Sequence, residues 1–316
     1  MNMYKQEFIT FVTIFSLILL PVTGMALNEE EGAEEATAQV EDAQTTPTTG
    51  ADENATSDEV GTAEAAVTNK KDKSGTNPIN FQRDARIYNE YTWLNTAGDG
   101  SQNVTTFEFR TPFAGGKWQF RTRIPYSVLD ADLSGDGMDD VDDNGLGDIN
   151  FRLMTVPWLK GANALALALE VFLDTASEDS LGTGATSLAP VVFFGHFFKG
   201  GFGPWKRGGL FAPGLQYKFS VDEDEGRDKV EQIIIDINYL VTAEDGHSWM
   251  FAEPQIVFDQ ETKADFAIID IEFGWMMTKW SPDMKGHSFY LRPTFTIGAD
   301  RPTDYGVEVG YKIIGW

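Results

Sequence analysis

The stretch "ALALALEVFL", residues 164–173, alternates between large apolar side chains and small or charged ones. Leu165, Leu167 and Leu169 occupy every second position, and Glu170 lies in the other set. Because successive side chains of a β-strand point to opposite faces, this pattern predicts a strand with one apolar face. The other face carries a charge, so the two faces must meet different solvents.

The same alternation recurs along most of the chain. From residue 77 onward, runs of roughly ten residues follow one another, separated by Gly, Asp, Asn, Lys and Ser. Short turns at residues 114–116 and 160–162 alternate with longer acidic loops at residues 129–147 and 174–185. We count about twelve runs, an even number that is typical of outer-membrane barrels. The sequence therefore predicts an all-β fold, a transmembrane antiparallel β-barrel of about 12 strands over residues 77–316.

The chain before residue 77 has a different composition. Lys5 precedes an apolar run that ends at Leu20, and small residues follow near Ala26, which predicts a secretory signal peptide over residues 1–26. The alternative is a membrane anchor, but the run is shorter than the ~20 residues that a spanning helix needs. Residues 27–76 are acidic and contain no aromatic residue, which predicts a disordered acidic tail.

Composition excludes several classes of protein. The 316 residues include no Cys, so the chain is neither a disulfide scaffold nor a thiolate metal protein. The formal net charge of -25 argues against nucleic acid as a partner.

Alternation alone does not distinguish a soluble sandwich, with charges outside, from a membrane barrel, with charges around a wet lumen. Aromatic residues near strand ends favour the membrane barrel, since its two interfaces carry aromatic girdles. These residues are Trp93, Phe113, Trp118, Trp158, Phe197, Trp249, Trp275 and Trp280. We therefore predict the Gram-negative outer membrane as the location, with its lipid and lipopolysaccharide as surroundings.

The last residues, "GYKIIGW", resemble the terminal signal of bacterial outer-membrane proteins, in which an aromatic residue ends the chain. This resemblance implies the barrel-assembly machinery as a partner of the last strand. The alternation slips near Ile313 and Ile314, which predicts a bulge there.

Several segments together resemble a known family. They are "IPY" at residues 124–126, "GLGDINFRL" at 145–153, "ALALEVFLDTASEDSLGTG" at 166–184 and "LAPVVFFG" at 188–195. They are similar to the outer-membrane transporter family named for the MetA-pathway of phenol degradation. The resemblance implies an outer-membrane barrel that passes small, often hydrophobic compounds, and it supplies no catalytic or ligand residues.

The phase of the strands places charged side chains in the lumen. We predict a solute path lined by Arg110, Arg121, Arg123, Arg152, Glu170, Asp236, Glu253, Asp270, Glu272 and Arg292. Bases lie mostly on early strands and acids on later ones, with Glu170 assigned to the acidic side, so opposite charges are expected to face each other across the interior. Either these charges pair and partly fill a narrow lumen, or they set up a field that selects polar solutes.

The loop "DLSGDGMDDVDD", residues 132–143, has oxygen ligands at the intervals of calcium-binding loops. The candidate metal ligands are Asp132, Ser134, Asp136, Asp140 and Asp143. Calcium takes several hard oxygens on a flexible loop, whereas acidic runs are also common on solvated surfaces. Ca²⁺ is therefore an optional ligand here, and no cofactor is required.

An outer-membrane lipid hydrolase is the enzymatic alternative. His247 and His287 each precede a serine, but neighbours on a strand point to opposite faces and cannot form a catalytic pair. The sequence therefore predicts a non-enzymatic channel for small solutes, and the family resemblance implies hydrophobic or aromatic compounds among them. A structural barrel with a plugged lumen and a calcium-binding external loop is the second alternative.

Overall fold

A computed structural model describes residues 74–96, 100–132 and 140–315. The predicted signal peptide, residues 27–73 of the predicted acidic tail, and Trp316 lie outside the described residues. The strands are β1 (Asp84–Leu94), β2 (Gly100–Phe113), β3 (Trp118–Ala131), β4 (Val141–Leu146), β5 (Asn150–Lys160), β6 (Asn163–Phe172), β7 (Ala185–Phe198), β8 (Gly208–Glu223), β9 (Glu231–Thr242), β10 (Ser248–Asp259), β11 (Asp265–Met276), β12 (His287–Ile297) and β13 (Thr303–Ile314). Short 3-10 turns lie at Asp179–Leu181 and Met277–Lys279. In the described part of the chain, no helix has the length and apolar character needed to cross a membrane.

The strands close into a barrel. Neighbours pair antiparallel along the chain, and β1 pairs with β13 to complete the circle. β4 pairs with the second half of β3 and β5 with its first half, so β4 and β5 are two pieces of one wall strand. The predicted twelve-strand antiparallel barrel is therefore confirmed.

The strand that contains "ALALALEVFL" shows which face lies outside. On β6, Leu167 and Leu169 are 43% and 42% exposed, whereas Ala166 and Glu170 are 0% and 9% exposed. The outward positions of most other strands are also large and apolar. An apolar surface of this extent requires a hydrocarbon surrounding. The alternation therefore arises from lipid outside and a polar interior.

The two ends of the barrel carry different connections. We call the end where Asp84 and Ile314 pair the terminal end, and the opposite end the loop end. The connections at residues 114–117 and 161–162, on the terminal end, are short as predicted, but those at residues 199–207 and 277–286 are not. The predicted alternation in connection length therefore holds only in the first half of the chain.

The predicted bulge near the C-terminus is wrong. β13 keeps a regular register with β1 through Ile313 and Ile314, and the irregularity lies instead at Trp93 and Leu94. Ile314 is apolar although it faces the interior, where it is 8% exposed and lies against Gly75. An apolar contact inside the barrel, and not a change of phase, explains two consecutive isoleucines.

One side of the lumen near the terminal end is apolar. Side chains from β5 to β12, together with Ile79, form a buried cluster. It contains two of the aromatic residues predicted for the girdles: Trp249 is 2% exposed and Phe197 packs against the cluster. The girdle prediction is wrong for these two and agrees with the exposed Phe113, Trp118, Trp158 and Trp280. Trp249 shares its phase with Glu253, so consistent use of the alternation places it inside.

Candidate solute path in the barrel lumen

Residues 74–81, which we call the strap, lie inside the barrel. Ser74, Asn77 and Ile79 are 3%, 4% and 3% exposed. The Asn77 side chain accepts a hydrogen bond from the Ile79 amide at 2.9 Å, which turns the chain back toward β1. The predicted boundary of the disordered tail at residue 76 is therefore displaced, because residues 74–76 are already packed in the lumen.

A network around Glu108 joins β1, β2 and β3 to the strap. The Glu108 carboxylate pairs with Arg110 and with Arg123, each at 2.6 Å, and with Arg86 at 3.3 Å. Arg86 also pairs with Asp84 at 2.8 Å and donates to the Gly75 carbonyl of the strap at 2.5 Å. This first arginine network contains three guanidinium groups and two carboxylates.

A second arginine network lies on β3, β5 and β6. Glu170 pairs with Arg121 at 2.7 Å and with Arg152 at 3.4 Å. Arg121 also donates to the Asn150 side chain at 3.0 Å. Glu170 was predicted on the acidic side of the lumen, and this prediction is wrong. The pairing of β3 with β5 and of β5 with β6 places Glu170 directly opposite Arg152, which is itself opposite Arg121. This arrangement leaves two guanidinium groups for one carboxylate.

A third network surrounds Glu272, which has no exposed surface. Its carboxylate pairs with Lys312 at 2.8 Å and with Arg292 at 2.6 Å. It also accepts hydrogen bonds from the Trp249 indole at 2.7 Å and the Thr76 hydroxyl at 3.0 Å. Lys312 donates to the same hydroxyl at 3.0 Å. Thr76 of the strap therefore contacts both members of a buried ion pair on the barrel wall.

Three carboxylates on β9, β10 and β11 form a different surface, which we call the acidic wall: Asp236, Glu253 and Asp270. Asp236 accepts a hydrogen bond from Asn238 at 3.0 Å, and Asp270 accepts one from Thr294 at 2.6 Å. Among the residues that the structure describes, none of the three has a cation within ion-pair distance. We call the surface that Arg110, Arg121, Arg123 and Arg152 form on β2, β3 and β5 the basic wall.

The two walls line one cavity of about 70 Å³. Arg121, Arg123 and Arg152 contribute from the basic wall, while Asp236 and Glu253 contribute from the acidic wall. Thr76 and Pro78 of the strap close it, and Phe193, Phe251 and Tyr290 add aromatic surface. Opposite charges thus share an interior space as expected, although the direct ion pairs run along the wall.

All ten residues predicted for the solute path face the interior. The predicted path was restricted to charged side chains and left out the strap, Trp249 and the aromatic lining. β7 reads "LAPVVFFGHFF", which is apolar on both faces. That continuous apolar run was the available signal for a partly apolar lumen.

The predicted calcium loop is shorter than expected. β3 continues to Ala131 and β4 begins at Val141, so the paired strands include part of the predicted loop. Asp143 lies in β4, where its carboxylate accepts a hydrogen bond from Ser180 at 2.5 Å. Ser134 and Asp136 lie outside the described residues. Within the residues that the structure describes, no group of three or more acidic or histidine side chains is arranged to hold a metal ion.

The segments that carry the family resemblance meet at the loop end. Asp148 of "GLGD" accepts hydrogen bonds from the amides of Thr175 and Ala176 at 3.2 and 3.3 Å. It also accepts from the Thr183 amide at 2.8 Å and from the Thr183 hydroxyl at 3.0 Å. Burial and the neighbouring carboxylates of Asp224 and Asp148 raise the pKa of Asp174. Asp148 therefore holds the Leu-Gly-Thr-Gly loop over the break between β4 and β5.

The three histidines have partners other than serine. His196 contacts Asn163 at 2.8 Å, His247 contacts Thr278 at 3.4 Å, and His287 contacts the Tyr311 hydroxyl. No serine–histidine hydrogen bond occurs among the described residues.

Residues 65–203 match a family model described as "Putative MetA-pathway of phenol degradation". The resemblance predicted from the sequence is thereby confirmed. No curated protein matches the chain by sequence.

Solved outer-membrane proteins share the fold. An outer membrane channel from Pseudomonas putida F1 aligns with a TM-score of 0.55 at 9% identity, over 74% of this chain and 95% of the channel. The NanC porin aligns with a TM-score of 0.47 at 10% identity, over 73% of this chain and 98% of the porin. OprB from Pseudomonas putida aligns with a TM-score of 0.36 at 9% identity, over 80% and 97%. The alignment with the Pseudomonas putida F1 protein shows the fold of an outer membrane channel, in agreement with the predicted location.

Proposed function

We propose that this protein is a passive outer-membrane channel for small polar solutes. The observation that supports this function best is a closed barrel whose lipid-facing wall is apolar while its lumen carries two oppositely charged walls around one cavity. Charged side chains around a hydrated constriction select solutes by charge and size. The lumen thus offers a route for polar solutes that lipid excludes.

The strap limits what can pass in the described conformation. An engineered apolar cavity that binds benzene measures about 150 Å³, whereas the cavity beside the strap measures about 70 Å³. Passage of an aromatic compound, which the family resemblance implies, therefore requires the strap to leave the lumen. If the strap never leaves, the protein is a plugged structural barrel, which is the competing function.

The strap can be locked in place to separate these two functions. A Cβ atom on Gly195 would meet the Ile79 side chain, and the chain contains no native Cys, so an Ile79→Cys, Gly195→Cys variant offers a single disulfide. We expect ionic current in planar bilayers from the reduced variant and from the wild type, and loss of most current on oxidation. Each single-cysteine variant under the same oxidant is the matched control.

Other outcomes decide between the alternatives. Absence of current from the wild type and from the reduced variant contradicts the channel and supports the plugged barrel. Equal current before and after verified oxidation shows instead that ions pass the strap without its movement, so the proposed role of the strap is wrong.

A further inference from the structure

We propose that the lumen cavity is a binding site for a small zwitterion, with the carboxylate of the solute on the basic wall and its cationic group on the acidic wall. This inference depends on the proposed channel function, since it names the class of solute that the path accepts. Binding and conduction are measured separately below, so that one can fail without the other.

The basic wall contains buried hydrogen-bond donors that have no acceptor among the described residues. The side chains of Arg121 and Arg152 are 4% and 10% exposed, and the Nε atom of each has no hydrogen-bond acceptor among the described residues. A buried donor without an acceptor is unfavourable, and a guanidinium group binds a carboxylate through two parallel hydrogen bonds. Each arginine network also carries one more cation than carboxylates. These features favour a bound carboxylate.

The acidic wall prevents a simple anion from being the preferred solute. Asp236 is 8% exposed, and it lines the same cavity as Glu253. In the part of the chain that the structure describes, neither carboxylate has an ion-pair partner. An anion on the arginines would lie close to these two like charges, and a simple cation on the carboxylates would lie close to the arginines. A solute that carries both charges meets a favourable partner on each wall.

The size of the cavity restricts the solute further. About 70 Å³ accommodates a two-carbon amino acid and excludes an aromatic ring. Phe251 and Tyr290 border the cavity, and aromatic faces stabilise a nearby ammonium group. Glycine is therefore the smallest probe that carries both required groups.

Saturation-transfer NMR on the full mature chain in detergent measures binding directly. The probes are glycine, which carries both charges, acetate, which carries only the carboxylate, and methylammonium, which carries only the cationic group. We expect glycine to bind roughly tenfold more tightly than either half, which corresponds to the loss of one charge-assisted contact.

Two variants assign the binding to the two walls. Arg152→Gln retains the shorter pair between Glu170 and Arg121, so the barrel is expected to fold, and glycine affinity should fall roughly tenfold. Glu253→Gln is isosteric and should leave glycine binding no tighter than acetate. Matched controls are Arg301→Gln and Glu261→Gln, which lie at the loop end, and both should bind as the wild type does.

The inference is overturned if acetate binds as tightly as glycine, or if neither wall variant weakens glycine binding. In either case ionic current from the same wild-type preparation would leave the channel function intact. Glycine binding together with no current would support the site and contradict the channel.

Discussion

Glu272 has no exposed surface and is the acceptor for Lys312, Arg292 and two further donors. Lys312 is also fully buried. We predict that Glu272→Gln lowers the free energy of unfolding by about 3–5 kcal/mol, because it leaves a buried ammonium group without its counter-charge. Urea titration of the barrel in detergent measures this loss.

Asp304 is the control for that substitution, since its pair with Arg301 is partly exposed. Asp304→Asn should change the free energy of unfolding by less than about 1 kcal/mol. If Glu272→Gln costs no more than Asp304→Asn, the third network is not a stabilising element of the lumen.

Gly274 shows how aromatic side chains fit inside the barrel. It lies directly opposite Trp249 on the neighbouring strand, and a Cβ atom at Gly274 would collide with the indole ring. The same arrangement joins Gly310 to Tyr290. We predict that Gly274→Ala destabilises the barrel by about 1–3 kcal/mol through overpacking.

A double-mutant cycle tests the cause of that loss. With Trp249→Phe in place the smaller ring leaves room, so the cost of Gly274→Ala should shrink. An unchanged cost in the Phe background would show that the ring contact is not responsible.

Residue-scale features were only partly predictable from the sequence. The two-residue period fixes which side chains face inward, so all ten residues of the predicted path were placed correctly. Their partners were not, because pairing depends on the register of neighbouring strands, which the alternation alone does not give. Glu170 illustrates this point, since its contact with Arg121 skips β5.

The loop between β6 and β7 shows how one side chain organises an element. Asp148 accepts four hydrogen bonds from residues 175–183. We predict that Asp148→Ala frees this loop and accelerates its cleavage after the exposed Glu178 by a glutamate-specific protease. Asp148→Asn keeps one acceptor oxygen and should give an intermediate rate.

Asp222→Asn is the matched control, because Asp222 is an exposed carboxylate at the same end of the barrel. It should leave the cleavage rate unchanged. A wild-type rate for Asp148→Ala would mean that packing of Leu181, and not the carboxylate, holds the loop.

Elements differ in how far their sequence determines them. Most wall strands alternate strictly enough to be recognised one by one, although β7 is apolar on both faces. The strap does not, since residues 74–81 follow directly on an acidic segment and are held by the barrel interior rather than by a period of their own. The sequence also did not predict that the acidic loop ends as early as Val141. The residues after it are acidic, yet they pair with β3 as a strand.

At the scale of the whole molecule, the even number of strands, the two distinct faces and the aromatic strand ends together predict a closed cylinder, and the pairing of β1 with β13 closes it. Neither feature determines how much of the lumen is filled. Apolar side chains, ion pairs and the strap fill part of the interior and border a cavity of about 70 Å³ between opposite charges. We therefore propose a constriction that the strap gates rather than a wide pore.

The central claim is that hydrocarbon surrounds the Leu167 face while Glu253 lies in the lumen, and site-directed spin labelling in lipid bilayers tests it directly. The chain has no native Cys, so Leu167→Cys and Glu253→Cys each carry one label. We predict that the label at 167 collides more with oxygen, which dissolves in the bilayer, than with a water-soluble nickel complex, and that the label at 253 is shielded from oxygen. A label at 167 that is shielded from oxygen, with one at 253 that is exposed to it, would contradict the account.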